Sequence, residues 1–531
     1  MMILKTLKRS GGQPLRKGGF CSLFGSVLTA SASGLRVLPV RVEADISDGL
    51  PQFIMVGFLS AQVKEAQDRV RSAFRNSGLS IPSRRITVNL SPADLPKSGS
   101  RFDLPIALAL LLAAGLIPSS ALTGVMAVGE LSLGGGILPV SGVLPTALLA
   151  REEGCSLLIV PSANKSEACE VEDLTVAGVS SLRELMDLLE SGALPEPVKK
   201  ERSCGGLNRY DVDFSDIRGQ ATAKRAAVIS AAGFHNLLLI GSPGSGKTMI
   251  ARRMPTILPE LTRAESLEIS QIYSVAGLLS EDRPLIETRP FRHPHHTISP
   301  HALAGGGRQP VPGEVTLAHR GVLFLDEFPE FSPSALEILR EPLEDREITI
   351  SRLSGSFRFP ASFLLLAAMN PCRCGYFPDT NLCTCSARDI SRYVSRISRP
   401  LLDRIDLCVQ FNPVSLDDLL GAPGSELSSA DMREMIRFAR EIQLRRFSGT
   451  RLHFNSEIPP QEIGHWCRTA PGADRVLKAA FGRCSLSARG LHKILKTART
   501  IADLSGEELI GEAHLREALM YRTIDEQYWR I

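Results

Sequence analysis

Hydrophobic and polar positions change period at definite places along the chain. Arg36-Val37-Leu38-Pro39-Val40-Arg41-Val42-Glu43-Ala44 alternates with the period of two of a half-buried strand. Phe53-Ile54-Met55-Val56-Gly57 is a second short apolar run, and residues 61–76 place Val63, Ala66, Val70 and Phe74 at helical spacing. Arg85-Ile86-Thr87-Val88-Asn89-Leu90 returns to strand character. Phe102-Asp103-Leu104-Pro105 then opens an apolar helix whose first turn tolerates Pro105. Strand-like runs at 127–133 and 157–161 complete an α/β or α+β unit over 21–190, without internal repeat. Pro195-Glu196-Pro197-Val198-Lys199-Lys200-Glu201-Arg202 suits a linker over 191–212. Between 213 and 412, a helix at 221–232 precedes short, largely apolar runs at 237–240, 321–325 and 361–369 that read as buried strands. Residues 346–358 read as a β-hairpin. From 413 to 531 the pattern is helical, with an apolar stripe and opposing basic residues over 491–504. The expected class is α/β with a helical C-terminal region.

A chain of 531 residues has room for three domains of ~150 residues. Its 44% hydrophobic and 22% charged content is that of a soluble globular protein, and a net charge of +4 permits a nucleic-acid partner without arguing for one. Eleven cysteines scattered over this length do not form a secreted disulfide framework. No apolar run reaches the ~18 residues that span a bilayer, so no membrane is expected. Residues 1–20 carry Lys5, Lys8, Arg9, Arg16 and Lys17, no acid and no signal-peptide core. They read as a basic tail on a cytoplasmic chain.

Chemistry concentrates at Gly241-Ser242-Pro243-Gly244-Ser245-Gly246-Lys247-Thr248, which follows Leu237-Leu238-Leu239-Ile240 and precedes a helix. Strand, Gly-rich loop, Lys-Thr and helix make a P-loop, in which backbone N–H groups and the helix N-terminus cradle phosphates. Lys247 would reach the β- and γ-phosphates of ATP, and Thr248 would hold Mg²⁺. Gly321-Val322-Leu323-Phe324-Leu325-Asp326-Glu327 supplies the second half of a Walker A/B pair, with Asp326 on Mg²⁺ and Glu327 polarising the attacking water.

Three further elements resemble the AAA+ ATPases in order. Asn370 ends the run 361–369, as sensor 1 does. Arg404, in Ser398-Arg399-Pro400-Leu401-Leu402-Asp403-Arg404-Ile405-Asp406, resembles an arginine finger, and Arg489, in Ser487-Ala488-Arg489-Gly490, resembles sensor 2. A finger acting on a neighbour's γ-phosphate implies a ring, expected as a hexamer. Lys247 and Asp326 lie far apart for such a core, so the interval carries an insertion. It holds Phe291-Arg292-His293-Pro294-His295-His296-Thr297 and Gly305-Gly306-Gly307-Arg308. Pro294 and the loop composition offer no helix face for imidazole ligands, so a pore or substrate loop is the preferred reading over a metal site. Arg352 and Arg358 on the hairpin are available to a polyanion, and plain solvation explains them equally.

Gly129-Glu130-Leu131-Ser132-Leu133-Gly134-Gly135-Gly136-Ile137-Leu138-Pro139-Val140 and Pro161-Ser162-Ala163-Asn164 resemble the Lon protease domain. The resemblance implies a ribosomal-S5-domain-2-like fold. Alignment on it puts Arg101 where the nucleophilic serine should stand and Leu144 where the lysine should stand, with Lys97, Ser98 and Ser100 out of register. A serine without a base is not an activated nucleophile, so proteolysis is not expected.

Together with Ala318-His319-Arg320 before the Walker B strand and Met369-Asn370-Pro371-Cys372-Arg373-Cys374-Gly375-Tyr376 after the third strand, these runs resemble the magnesium-chelatase-like ComM/YifB family over about 21–530. That resemblance implies a degenerate Lon-like domain joined to an AAA+ core of the helix-2-insert clade and a helical lid. It also implies ATP and Mg²⁺ as cofactors and a hexameric DNA helicase that drives branch migration in recombination and natural transformation. DNA, bound without sequence preference, and recombination proteins are the partners it suggests. Ser242, Arg373 and Arg399 stand where the family usually has Pro, Pro and Gly. A chelatase-type remodeller of a protein partner is the competing reading.

Cys372, Cys374, Cys383 and Cys385 form two C-x-C pairs within 370–390 that can present four thiolates to one structural Zn²⁺. Four free thiols in a reducing cytosol is the alternative.

Overall fold

The computed structural model describes residues 23–191, 210–307, 310–352, 355–379, 381–411, 426–483 and 487–529. The basic tail, nearly all of the linker, and Arg308 lie outside the described residues.

The N-terminal unit is built on a seven-stranded sheet. Its spatial order is Gln52–Val56, Arg85–Ser91, Arg36–Ser47, Leu23–Ser33, Val125–Ala127, Leu157–Pro161 and Thr175–Val179. Leu23–Ser33 and Arg36–Ser47 pair antiparallel from Leu23↔Ile46 to Ser33↔Arg36, while the strands from Val125 onward run parallel to the first. Helix Asp103–Ala113 covers the sheet and is buried on nearly every face. Its near-continuous apolar sequence follows from that position.

Three sequence expectations change here. Residues 61–76 form two helices, Ala61–Lys64 and Ala66–Asn76, because the backbone tightens at Glu65, whose carbonyl accepts from Asp68 N three residues on at 3.1 Å. The run 127–133 does not continue as one strand. Ala127 ends a strand, and Glu130–Leu131 turns away to pair with Ile137–Leu138 in a separate ribbon. Strand Leu23–Ser33, absent from the sequence expectation, carries Thr29 and Ser31 at buried positions, which hides its period.

The second unit holds a five-stranded, all-parallel sheet in the order Phe291–Arg292, Val322–Leu325, Leu364–Met369, Leu237–Ile240, Leu407–Gln410. The first strand in sequence, Leu237–Ile240, therefore lies between the fourth and fifth. Ligands of open α/β sheets collect in the crevice at the carboxyl ends of strands at such a switch point. Between Walker motifs the chain inserts helix Arg263–Val275, helix Pro300–Ala304 and the small ribbon Gly305–Gly306/Val311–Pro312. The hairpin expected at 346–358 is Glu347–Arg352 paired with Gly355–Pro360.

The C-terminal helices Ser429–Arg446, Ala473–Arg483, Ala488–Leu504 and Glu512–Trp529 share one apolar core with the ATPase sheet. Leu237 and Val409 belong to the same cluster as Ile436, Ile494 and Leu515. Among the described residues no helix is long and apolar enough to cross a membrane.

Candidate active site

The loop after Leu237–Ile240 turns into helix Lys247–Ile257 through Gly244 at φ +75° and Gly246 at φ +98°. Both need the left-handed region, and nothing lies within 4 Å of where a side chain would stand, so the inner face of the loop is open backbone. Lys247 Nζ donates to the carbonyls of Gly241 and Ser242, each at 2.8 Å, and to Asn370 Oδ1 at 3.3 Å. Burial lowers the Lys247 ammonium from its ordinary value and Asp326 opposes that. Thr248 Oγ1 donates to Asp326 Oδ2 at 2.9 Å. Parallel pairing puts Ile240, Met369 and Leu325 at the same end of the sheet, which is why Lys247, Asn370, Asp326 and Glu327 meet there. An open cradle of N–H groups, a buried ammonium and a hydroxyl–carboxylate pair are the donor set that Mg²⁺ and a nucleoside triphosphate require. The residues fit the group.

Two contacts at this pocket had no sequence signal beyond being unusual. His296 Nδ1 lies 2.9 Å from Glu327 Oε2, so the histidine loop reaches the Walker B glutamate. At Gly375, φ +87°, any Cβ would strike Pro243 of the P-loop. The cysteine loop therefore leans on the phosphate loop. Cys372 Sγ is 3.3 Å from Cys374 Sγ and 3.7 Å from Cys383 Sγ, and Cys374 Sγ is 3.5 Å from Cys383 Sγ. All four ligand sulfurs, that of Cys385 included, lie within 4.8 Å of one another. A tetrahedron of thiolates at ~2.3 Å from zinc has sulfurs about 3.8 Å apart, so the spacing fits a four-coordinate ion. The Tyr376 amide holds the Cys374 thiol down at about 6. No comparable histidine cluster occurs among the described residues.

The two arginines are elsewhere. Asp406 N bonds Asn236 O at 3.0 Å, and Asn236 Nδ2 donates to the Arg404 carbonyl at 2.9 Å, which ties Arg404 to the amino end of the sheet, opposite the phosphate cradle. The Arg404 guanidinium pairs with Glu344, and Arg489 Nη2 lies 3.3 Å from the same carboxylate. The structure thus brings Arg404 and Arg489 together, and not to the chain's own P-loop.

In the N-terminal unit Arg101 is buried, and its Nη2 donates to Thr146 Oγ1 at 2.9 Å and Gly142 O at 3.3 Å. Burial brings its guanidinium down to about 10, with Glu167 opposing. Leu144 N donates to Glu167 Oε2 and to Ser274 Oγ, both at 3.2 Å. The Ser100 hydroxyl meets Glu130 and the Lys97 ammonium meets the Pro92 carbonyl, so these two groups do not form a dyad.

Comparison with known proteins finds matches in all three parts of the chain. Family descriptions match in succession: subunit ChlI of magnesium chelatase over residues 42–164, magnesium chelatase subunit ChlI over 213–419, and the ChlI C-terminal region over 426–522. The competence protein ComM of Haemophilus influenzae is 42% identical over 503 residues, covering 94% of this chain and 97% of that protein. The chain belongs to the magnesium-chelatase-like ComM/YifB family. YifB of Escherichia coli is 41% identical over 503 residues, with 94% and 97% covered. The magnesium-chelatase 38 kDa subunit of Rhodobacter capsulatus is 24% identical over 334 residues, 59% of this chain and 87% of that one. Family membership accounts for the AAA+-type sheet with its P-loop at the switch point.

Proposed function

We propose that the chain hydrolyses ATP with Mg²⁺ and works as a homohexameric motor on DNA, driving branch migration during recombination and natural transformation. The observation that carries the ring is the split site. Lys247, Thr248, Asp326, Glu327 and Asn370 stand at one end of a sheet whose other end carries Arg404 and, on the shared Glu344, Arg489. Placed there, those arginines point to service of a neighbour's phosphates rather than the chain's own, which supports the ring reading. Bound ATP–Mg²⁺ supplies the scissile phosphoanhydride. Lys247 holds the terminal phosphates, Thr248 and Asp326 hold the ion, Asn370 places the water, and Glu327 takes its proton. DNA as substrate is supported by the likeness to a competence protein and by the exposed arginines of the hairpin, which suit backbone contact without sequence preference. The four cysteines are assigned a structural Zn²⁺ that fixes the loop against Pro243.

Unwinding of forked and four-way-junction DNA tests the motor, with K247A as the inactive control. Mixing K247A with R404A chains tests the shared site: each alone is inactive, and mixed rings regain part of the ATPase. ATPase without DNA stimulation or strand separation refutes the DNA motor. The relation to magnesium-chelatase subunits then favours a remodeller of a protein partner.

A further inference from the structure

The N-terminal unit has no part in the site as assembled above, yet its buried polar groups end on the ATPase unit. Helix Arg263–Val275, inserted between the Walker motifs, is gripped at both ends. At its first residue Arg263 Nη2 donates to Glu170 O and to Glu170 Oε2, each at 2.9 Å. Near its last, Ser274 Oγ donates to Glu167 Oε2 at 2.6 Å, and Ser274 O accepts from Gly142 N at 2.9 Å. Leu144 N is shared by the same two side chains, 3.2 Å from each. Leu267 lies on the face of Arg263 and Ser274 by its spacing, and it packs with Leu279 and Leu285 against Val143, Leu144 and Ala147. Glu167, Glu170 and Ser274 are buried, so the grip is made away from solvent.

Other faces of the helix hold the start of the Walker B strand. Arg320 stands two residues before Val322–Leu325 at φ +58°, a left-handed backbone that a bulky residue keeps only where its surroundings fix it. Arg320 Nε donates to Glu268 Oε2 at 3.1 Å, and Arg320 O accepts from Arg289 Nη1 at 2.7 Å. Arg289 Nη2 in turn donates to Glu265 Oε2 at 3.2 Å, and Tyr273 Oη donates to Leu317 O at 3.0 Å. Glu265, Glu268 and Tyr273 of one helix therefore fix residues 317–320, which set how the strand leading to Asp326 and Glu327 enters the sheet.

We propose that the N-terminal unit is a docked brace for hydrolysis, in which Glu167 and Glu170 act through helix Arg263–Val275 as positioning residues for Asp326 and Glu327. This rests on those two carboxylates serving an ATPase. A helix clamped at Arg263 and Ser274 cannot tilt against the strand, so the carboxylates stay aimed at the phosphate loop. With the clamp open, fewer bound nucleotides meet them in reactive geometry. Nucleotide affinity is spared, because the P-loop follows strand Leu237–Ile240, two places from Val322–Leu325 in the sheet.

The test is steady-state ATPase of the full chain for wild type, S274A, R263A, R263K, E268A and S274A/E268A, with amide hydrogen exchange over residues 317–322 read by peptide mass spectrometry. S274A is expected to lower kcat about two- to tenfold with KM for ATP unchanged. R263A should shift kcat in the same direction, and R263K, which keeps a cation on Glu170, should recover most of the loss. Arg263 is 51% exposed, so R263A costs the fold little even where S274A harms it. S274A/E268A should be no slower than E268A, because both changes cut one path. Exchange over 317–322 should quicken in S274A and R263A. An unchanged or raised kcat in both single variants overturns the brace, as does a lowered kcat with wild-type exchange over 317–322, or full additivity in S274A/E268A. If wild type hydrolyses no ATP, the ATPase reading falls, and the exchange data still decide whether the N-terminal unit holds the strand.

Discussion

Replacing Asp406 by asparagine should weaken the hold of the helical C-terminal region on the sheet. Asp406 precedes strand Leu407–Gln410, and its Oδ1 lies 3.0 Å from Lys493 Nζ on helix Ala488–Leu504, the helix that carries Arg489. Oδ2 accepts from Asn236 N at 3.0 Å and lies 3.8 Å from His235 Nδ1. The two side chains are only 13% and 17% exposed. Burial alone would raise the Asp406 carboxyl, but Lys493 and His235 hold it far below the carboxylate range. Burial also draws Lys493 below its ordinary value, against the pull of Asp406. Removing one partner of a buried pair costs about 3–5 kcal/mol; with some solvent reaching this one, about 2–4 kcal/mol is expected. At ~2–4 °C per kcal/mol for a domain of this size, Tm should fall by roughly 4–16 °C. The depressed carboxyl contributes fully above its unfolded pKa and loses its contribution as pH falls below that, so the deficit of D406N should be constant between pH 5 and 7. Scanning calorimetry of wild type, D406N and D406L/K493M checks this, and the double variant should recover most of the loss because it strands no charge. A D406N Tm within about 2 °C of wild type, or a double variant as unstable as the single, refutes the reasoning.

Serine at Cys372 and Cys383 should reduce bound zinc from about one per chain to none, read by metal analysis of protein purified without chelator. G375A should keep the metal but weaken ATP binding, because its Cβ displaces Pro243 and its φ is unfavourable. Full affinity in G375A would show that the cysteine loop does not support the P-loop. Glu268 lies 3.1 Å from both His319 Nε2 and Arg320 Nε. Burial would raise its carboxyl, but these partners hold it down at about 2. Its stabilisation is present above its ordinary pKa of 4.5 and disappears as pH falls through about 2. The Tm curves of wild type and E268Q should therefore differ by no more than the equivalent of about 1 kcal/mol at pH 7 and converge on acidification, since the carboxylate is partly exposed. Parallel curves would mean that no depressed carboxyl exists.

The local chemistry was legible in the order of residues. A P-loop needs its glycines, lysine and threonine contiguous, and a buried parallel strand needs an unbroken apolar run, so residues 241–248 and the strand before Asp326 could be located from pattern, while Asn370 was read from its resemblance to the AAA+ strand tip. Their meeting at one end of the sheet follows once the strands are parallel. The cysteine cluster was equally visible, because its four members come as two short-range pairs. Strand Leu23–Ser33 was not, since its buried positions mix Gly25, Thr29 and Ser31 with Val27 and Ala30, which breaks the hydrophobic period. Nor could spacing show that His296 reaches Glu327, that Gly375 leans on Pro243, or that Arg404 and Arg489 converge on Glu344 across 85 residues of chain. These contacts join segments whose separation in sequence is set by insertions and turns. Their geometry is decided by how helices and loops stack on the finished sheet, which local pattern does not encode.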